Sequence, residues 1–250
     1  MPVKKKTNKA PGSGMTAKQM KRRKPISGEY MLPIEPLTDN QKVMFDEWDK
    51  GKMVYAYGVA GTGKTFVALY KALKEVLDDY SPYEKIYIVR SLVATREIGF
   101  LPGDHEDKSS LYQIPYKNMV QAMFEMPDDN SYEMLYDNLK AQETISFWST
   151  SFIRGTTLDN SIVIIDECQN LNFHELDSII TRVGQDSKII FCGDAAQTDL
   201  IKNNERTGIL DFQKIIMNME EFAMIEFGIE DIVRSGLVKS YLISKLNLGL

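Results

Sequence analysis

The sequence predicts an α/β protein, with a mostly parallel sheet and helices on both of its faces. Three observations lead to this fold class: short apolar segments recur along the chain, segments of helical periodicity lie between several of them, and a glycine-rich loop follows the first apolar segment. The strand candidates are residues 53–57, 86–90, 144–150, 161–166, 188–192 and 224–227. The helix candidates are residues 41–48, with an N-cap within 37–39, and residues 65–78, 113–124, 131–142, 173–182 and 207–219.

The loop after the first strand candidate indicates the chemistry. Residues 58–65 read Gly-Val-Ala-Gly-Thr-Gly-Lys-Thr, a complete G-x-x-x-x-G-K-[ST] phosphate-binding loop. In such loops backbone N–H groups surround the phosphates, Lys64 contacts the β and γ phosphates, and the Thr65 hydroxyl binds Mg²⁺. The residues predicted to bind nucleotide here are Gly58, Val59, Ala60, Gly61, Thr62, Gly63, Lys64 and Thr65. We therefore expect a P-loop NTPase core that binds a nucleoside triphosphate.

The composition is that of an ordinary globular chain. Its 250 residues, 43% of them apolar, allow one large core, so we expect one domain over residues 31–250. No apolar stretch reaches the roughly 20 residues that span a bilayer, and no signal segment is present, so we expect a cytoplasmic protein without membrane contact. Cys168 and Cys192 are expected to be buried and reduced, because two cysteines and two histidines are too few for a disulfide framework or a convincing zinc site.

The N-terminal segment has a different composition. Nine of the 30 basic residues precede the first acidic residue, Glu29, which leaves 21 basic and 35 acidic residues and a balance of −14 in the remainder. Because few large apolar residues precede Tyr30, residues 1–30 are predicted to be a disordered basic tail. A non-specific contact with nucleic-acid phosphates, a solvated arm, and a contact with an acidic partner or with the protein's own body are the alternatives for its role.

A pair of acidic residues ends the strand candidate at 161–166. In a phosphate-loop enzyme Asp166 would bind the Mg²⁺ and Glu167 would take a proton from the attacking water. Many buried strands end in an acid, so this pattern points to catalysis mainly because a phosphate loop precedes it. Successive side chains of a strand point to opposite faces, so the two roles are compatible if the strand ends at Asp166 and the chain turns there.

The next strand candidate ends in Gly193 and Asp194 and is followed by Gln197. Gln197 would contact the γ-phosphate and detect its loss. A structural turn capped by Asp194 is the alternative interpretation.

The order of these motifs resembles the RecA-like core of superfamily 1 helicases, and most specifically the PhoH family. The phrases that carry the resemblance are EIGFLPGD at 97–104, RGTTL at 154–158, DECQN at 166–170, TRVG at 181–184 and DIVR at 231–234. The resemblance extends from about residue 37 to residue 246 and excludes the basic tail. Two positions depart from the family pattern: Cys168 stands where alanine is usual, and Thr156 stands where a second arginine is usual, which weakens a phosphate-contact role for that loop.

The resemblance implies further roles. Gln41 would read the adenine edge, so that ATP is the favoured nucleotide; a surface position on its helix is the alternative. Arg234 would neutralise the γ-phosphate in the transition state, and Arg182 would assist it. Arg90 and Arg154 resemble positions that face nucleic acid, although a surface salt bridge explains each of them as well.

Chain length leads to a prediction about assembly. A two-core helicase closes its ATP cleft with a second core of roughly 150 residues, whereas 53 residues follow Gln197. We therefore predict, as the resemblance also implies, that Arg234 reaches the ATP of a neighbouring subunit in a homo-oligomeric ring, a hexamer.

Three functions are compatible with the motifs. The favoured one is a nucleic-acid-stimulated ATPase or helicase that acts on single-stranded RNA or DNA. An ATP-dependent assembly or interaction protein with slow turnover is the alternative from another class, and the acidic body keeps it open. A small-molecule kinase is disfavoured, because Glu167 and Gln197 suit the activation of water. The family's association with phosphate starvation is a regulatory label and implies no reaction.

Overall fold

The protein is described by a computed structural model, which covers residues 28–90, 105–153, 155–194 and 203–248. The strands in these ranges are β1 (Met53–Gly58), β2 (Lys85–Arg90), β3 (Ile145–Trp148), β4 (Ser161–Asp166), β5 (Lys188–Cys192) and β6 (Phe222–Phe227). The helices are α1 (Asp39–Asp49), α2 (Lys64–Val76), α3 (His105–Gln121), α4 (Asp129–Ala141), α5 (Thr150–Ile153), α6 (Phe173–Ile180), α7 (Asn203–Met217) and α8 (Gly236–Asn247). Short 3-10 turns lie at Gly28–Tyr30, Cys168–Asn170 and Ile229–Asp231.

The six strands form one sheet in the order β3-β2-β4-β5-β1-β6, and each pair of neighbours is parallel. Each strand candidate from the sequence corresponds to one of these strands, and the α/β fold class is confirmed. Because all strands run in one direction, their carboxyl ends meet at a single edge of the sheet. Loops at that edge bind ligands in open α/β folds.

Apolar side chains cover both faces of the sheet. Along β4, Ile162 and Ile164 belong to one hydrophobic layer, whereas Val163 and Ile165 belong to the other. All four are buried, because the period-two alternation of a strand sends neighbours to opposite faces and both faces are covered. The first layer contains residues of α1, α2, α3 and α4, and the second contains residues of α6 and α7.

The helices follow the predicted pattern, with their ends shifted by up to four residues and with three larger differences. Thr38 is the N-cap of α1, where its Oγ1 accepts a hydrogen bond from Gln41 N at 3.3 Å, as the capping signal predicted. Helix α3 begins at His105, eight residues before the predicted start at 113. Helices α5 and α8 were not predicted, and no residue of α8 is buried, so its sequence lacks the apolar stripe by which surface helices are recognised.

Three other expectations concern composition. Cys168 and Cys192 are buried free thiols, as predicted. No helix in the described ranges is long and apolar enough to cross a membrane. Residues 1–27 of the predicted basic tail lie outside the described ranges, so its disorder, like the boundary of the domain at residue 31, stays a prediction.

Candidate nucleotide-binding site

A cleft of 810 Å³ lies at the carboxyl edge of the sheet. The loop after β1, the end of β2, the end of β4 and the end of β5 all reach it, together with residues from α1, α3 and the segment after β6. The volume is in the range of cavities that hold small-molecule ligands. The parallel sheet therefore brings the phosphate loop and the acidic pair of the sequence analysis into one cavity.

The loop conformation explains its glycines. Gly58 has φ of 120°, and a Cβ at this position would lie 2.1 Å from Phe227 O of the adjacent strand. The loop is fixed to that strand by the hydrogen bond from Val59 N to Phe227 O, at 2.9 Å. Gly63 has φ of 81° and precedes α2 without a side-chain cap. The first N–H groups of this helix have no intrahelical partners, which is the usual basis of anion binding at a helix N-terminus.

Lys64 lies inside the loop. Its Nζ donates hydrogen bonds to Val59 O at 2.7 Å, to Gly58 O at 3.3 Å and to Thr62 Oγ1 at 3.2 Å. Burial lowers the pKa of Lys64 from its ordinary value, while the Asp194 carboxylate acts in the opposite direction. The ammonium group is therefore held where the loop would place phosphate oxygens.

The side chains of Thr65 and Asp166 are in direct contact in the cleft. Thr65 Oγ1 donates a 2.7 Å hydrogen bond to Asp166 Oδ1, and the hydroxyl of Tyr116 donates a 2.6 Å hydrogen bond to Asp166 Oδ2. Burial and the Asp166 charge raise the pKa of Tyr116 far above its ordinary value, so the phenol remains a donor. Tyr116 lies 50 residues from Asp166 in the sequence, and no motif marked it.

A hydroxyl and a carboxylate in contact fit a Mg²⁺ site. Mg²⁺ takes oxygen ligands and is usually held by one or two carboxylates together with substrate phosphates. No group of three or more His, Cys, Asp or Glu side chains in the described part of the chain could hold a metal alone. Thr65 and Asp166 therefore suit an ion that arrives with a phosphate.

Glu167 occupies a turn. Strand β4 ends at Asp166, and Glu167 has φ of 53°, in the left-handed region. The chain therefore turns directly after Asp166, as separate roles for the two acidic residues required. Glu167 Oε2 accepts a 2.6 Å hydrogen bond from Gln169 Nε2, and Gln169 Oε1 accepts a 2.9 Å bond from Asp194 N. The buried amide of Gln169 thus links Glu167 to the end of β5.

Gln41 is buried at another wall of the cleft, which removes the surface alternative for it. Its Nε2 donates to Thr62 O at 2.9 Å, and its Oε1 accepts from Leu37 N at 2.8 Å. A glutamine amide has two hydrogens and a carbonyl oxygen with two lone pairs. These two bonds use one hydrogen and one lone pair and leave one of each.

Arg234 lies beside the phosphate loop of its own chain. Val233 N donates a 3.0 Å hydrogen bond to Gly61 O, and a Cβ placed on Gly61 would lie 3.0 Å from Arg234 Cγ. The short chain after Gln197 therefore does not by itself require the arginine to come from a neighbour, and its action on the ATP of a neighbouring subunit stays a prediction. Strand β6 pairs with β1 over its whole length and brings the following segment back to the loop.

The structure does not bring Arg182 to the cleft of its own chain, so an assisting role at the nucleotide of a neighbouring subunit stays a prediction. Arg182 follows α6, and its carbonyl accepts a hydrogen bond from Leu158 N, shortly before β4 begins at Ser161. It therefore lies at the amino edge of the sheet, and six strand residues separate it from the cleft by roughly 20 Å. Helix α6 runs back across the sheet, which the sequence motif alone did not reveal.

Arg90 lies at the edge of the cleft. It is the last residue of β2, it is the register partner of Asp166, and it lines the nucleotide cleft. The resemblance implied a contact with nucleic acid for Arg90, and that role stays a prediction, while its position in the cleft adds a contact with a bound ligand as a second possible role. Arg154 and Gln197 are outside the ranges that the structure describes, so their roles stay predictions.

Comparison with known proteins agrees with this architecture. The family model described as "PhoH-like protein" matches residues 33–244. The chain belongs to the PhoH family. A PhoH-like protein of Mycobacterium leprae is 31% identical over 206 residues, which cover 82% of this chain and 56% of that protein. A PhoH-like protein of Bacillus subtilis is 32% identical over 82% of this chain and 61% of that protein, and Protein PhoH of Escherichia coli is 29% identical over 74% and 51%.

This PhoH chain thus spans between half and two thirds of the length of these curated relatives. Similar solved structures include the large terminase of a thermophilic bacteriophage, with a TM-score of 0.47 and 12% identity over 83% of this chain and 50% of that one. The Pif1 helicase from Candida albicans gives a TM-score of 0.40 and 16% identity over 86% of this chain and 44% of that one.

Cys168 is where this chain departs from the usual PhoH pattern next to the acidic pair. Its thiol is buried and lies 3.8 Å from the Tyr55 hydroxyl. A Cβ on Gly193 would lie 2.6 Å from Cys168 Sγ. The absence of a side chain at Gly193 therefore leaves room for the Cys168 thiol.

Proposed function

We propose that this PhoH protein binds ATP with Mg²⁺ in the cleft and hydrolyses its γ-phosphate. The contact between Thr65 and Asp166 carries the proposal, because it joins the last residue of the phosphate loop to a carboxylate and so forms a magnesium-type ligand pair beside the phosphates. A loop that served only to bind an anion would not need this pair. Bound Mg²⁺ would neutralise phosphate charge.

Each side chain of the site has a separate role in the proposed reaction. Lys64 binds the β and γ phosphates, and Glu167 accepts the proton of the attacking water while the bond from the γ-phosphorus to the leaving oxygen breaks. Gln169 holds the Glu167 carboxylate through its 2.6 Å hydrogen bond. Gln197 is proposed to contact the γ-phosphate, as in the resemblance. Arg234 neutralises the γ-phosphate from within the same chain.

The nucleotide is proposed to be ATP. Gln41 lines the cleft with one N–H and one lone pair available, and an adenine edge offers both an acceptor and a donor. This pairing supports adenine as the base that is read.

Single-stranded RNA or DNA is the proposed activator. The support is the basic tail, whose nine positive charges precede Glu29, together with the PhoH resemblance to helicase cores. A ring, most simply a hexamer, is the proposed assembly, but Arg234 no longer requires it. The acidic remainder of the chain supports the second candidate, an ATP-dependent assembly protein with slow turnover.

The test is release of phosphate from ATP with and without single-stranded RNA or DNA. Glu167→Gln should bind ATP and lose hydrolysis, because the amide cannot accept the proton; Glu125→Gln, at an exposed position, is the matched control. Turnover in Glu167→Gln equal to that of the unaltered protein would refute the role of that residue. Strong stimulation of phosphate release by RNA or DNA supports the nucleic-acid-stimulated ATPase, and slow unstimulated turnover supports the assembly protein. Phosphate appearing on a metabolite supports a kinase.

A further inference from the structure

The carboxylate of Asp166 is fixed at both of its oxygens. Oδ1 accepts from Thr65 of the phosphate loop at 2.7 Å, and Oδ2 accepts from the Tyr116 hydroxyl of α3 at 2.6 Å. Rotation of the carboxylate about its Cβ–Cγ bond would break both bonds. The two donors together therefore fix the orientation of the carboxylate plane.

The Tyr116 ring is itself held in place. Its side chain is 2% exposed, and the ring lies 5.4 Å from that of Phe147 on β3, at an interplanar angle of 55°. The next residue of α3, Lys117, is bound through its carbonyl by the Tyr132 hydroxyl of α4. Tyr116 is thus a rigid donor, supported by the strand at the edge of the sheet and by a neighbouring helix.

We propose that Tyr116 is a positioning residue for the Mg²⁺ site, which holds the Asp166 carboxylate in the plane that brings one of its oxygens to Thr65. This rests on the proposed function, since it assumes that Asp166 contributes to the binding of Mg²⁺ with ATP. Groups that orient a metal ligand are typically worth 10- to 100-fold in metal affinity. Loss of the Tyr116 hydroxyl should therefore weaken the Mg²⁺-dependent part of nucleotide binding and leave the metal-free part unchanged.

The chain offers three tyrosines for a matched comparison. Tyr116→Phe removes the hydrogen bond to Asp166. Tyr132→Phe removes the bond to the Lys117 carbonyl, which supports the same helix at a distance from Asp166. Tyr136→Phe removes a buried hydroxyl that has no hydrogen-bond partner in the described part of the protein. All three changes keep a buried aromatic ring, so differences between them isolate the contact with Asp166.

The measurement is equilibrium binding of a fluorescent ATP analogue to the full chain, with Mg²⁺ and with EDTA. In the Tyr116→Phe protein we expect the affinity gained from Mg²⁺ to fall by about tenfold or more, with affinity in EDTA unchanged. Tyr136→Phe should keep the gain of the unaltered protein, and Tyr132→Phe should lose clearly less of it than Tyr116→Phe does. In an Asp166→Asn background, Tyr116→Phe should cause no further loss.

The outcomes separate the two proposals. If the unaltered protein gains affinity from Mg²⁺ and Tyr116→Phe gains as much, the positioning role is refuted and the proposed function stands. If Tyr132→Phe loses as much of the affinity gained from Mg²⁺ as Tyr116→Phe does, the role of Tyr116 is merely structural and the proposal is refuted as well. Absence of any Mg²⁺-dependent nucleotide binding in the unaltered protein would overturn the proposed function and this inference together.

Discussion

Asn40 Nδ2 donates a 2.7 Å hydrogen bond to the buried carboxylate of Asp231, 191 residues away in the sequence. Asn40 precedes Gln41 at the start of α1, and Asp231 lies three residues before Arg234. Gly228 N donates to the same carboxylate oxygen at 2.8 Å. One carboxylate therefore ties the start of the helix that carries Gln41 to the segment that carries Arg234.

Replacement of Asp231 by alanine should destabilise the protein. The change leaves the Gly228 N–H and the Asn40 amide without their acceptor, and the expected loss in free energy of unfolding is about 1 to 3 kcal/mol. Denaturant unfolding of Asp231→Ala measures it, and Glu230→Ala, at the exposed neighbouring position, is the control. A loss no larger than that of the control would show that the connection contributes nothing to stability.

The same carboxylate predicts a pH dependence. Burial raises the pKa of Asp231, but hydrogen bonds from Asn40, Thr38 and Gly228 outweigh it and lower the pKa below the ordinary value of 3.8. A lowered folded pKa stabilises the protein above pH 3.8, and this contribution is lost as the pH falls through the folded pKa. The difference in unfolding free energy between the unaltered protein and Asp231→Ala should therefore narrow in acid below pH 3.8. A constant difference from neutral pH down to that range would contradict it.

Substitutions of Gly51 and Gly58 allow the cost of backbone strain and the cost of steric contact to be measured separately. Gly51 and Gly58 both have positive φ, but a Cβ at Gly51 meets nothing within 4 Å, whereas one at Gly58 would lie 2.1 Å from Phe227 O. Gly51→Ala should cost about 1 to 2 kcal/mol from conformation alone. Gly58→Ala should cost more than about 4 kcal/mol, because β1 and β6 must separate. Equal unfolding free energies for the two variants would argue against the close strand contact.

Gln41→Ala should reduce the preference for ATP over GTP. Loss of two hydrogen bonds to the base corresponds to about tenfold or more in relative affinity. Competition binding of ATP and GTP measures it, with Lys42→Ala at the adjacent exposed position as control. Gln41 also binds Thr62 O, so a distorted loop would weaken both nucleotides equally. An unchanged ratio of the two affinities would therefore exclude base reading.

The sequence predicted those features that depend on local pattern. The strand, glycine loop and helix around Lys64 form one continuous segment, and β4 shows its buried character in an uninterrupted apolar run that ends at Asp166. Helix α8 could not be predicted in this way, because a helix without a buried face has no apolar periodicity. Its Leu237 and Tyr241 are largely exposed.

The remaining features of the site depend on topology. Tyr116 reaches Asp166 only because α3 packs over the carboxyl edge, and Arg182 is remote because α6 runs back to the amino edge. Arg234 lies beside the phosphate loop of its own chain because β6 pairs with β1 at the edge of the sheet, although four strands come between β1 and β6 in the sequence. The positions of these three side chains cannot be inferred from the spacing of residues along the chain.

The position of Arg234 leads to the prediction that distinguishes a complete site from a shared one. Arg234→Ala should lower ATP turnover about 10³-fold or more, as is typical of arginines that neutralise the γ-phosphate. Lys64→Ala should remove phosphate binding in the chain that carries it. If Arg234 serves its own chain, each variant destroys its own site, and a mixture of the two should hydrolyse ATP no faster than the average of the separate proteins.

A mixture of Lys64→Ala with unaltered protein controls for exchange of subunits, and sedimentation of the same samples reports whether the chains assemble. If the Arg234→Ala and Lys64→Ala proteins form mixed assemblies and turnover rises above both separate values, the arginine acts on the neighbouring subunit's ATP. That result would mean that Arg234, which is exposed at the rim of the cleft, leaves Gly61 on assembly. We expect no such recovery, because the hydrogen bond from Val233 N to Gly61 O already holds this segment against its own loop.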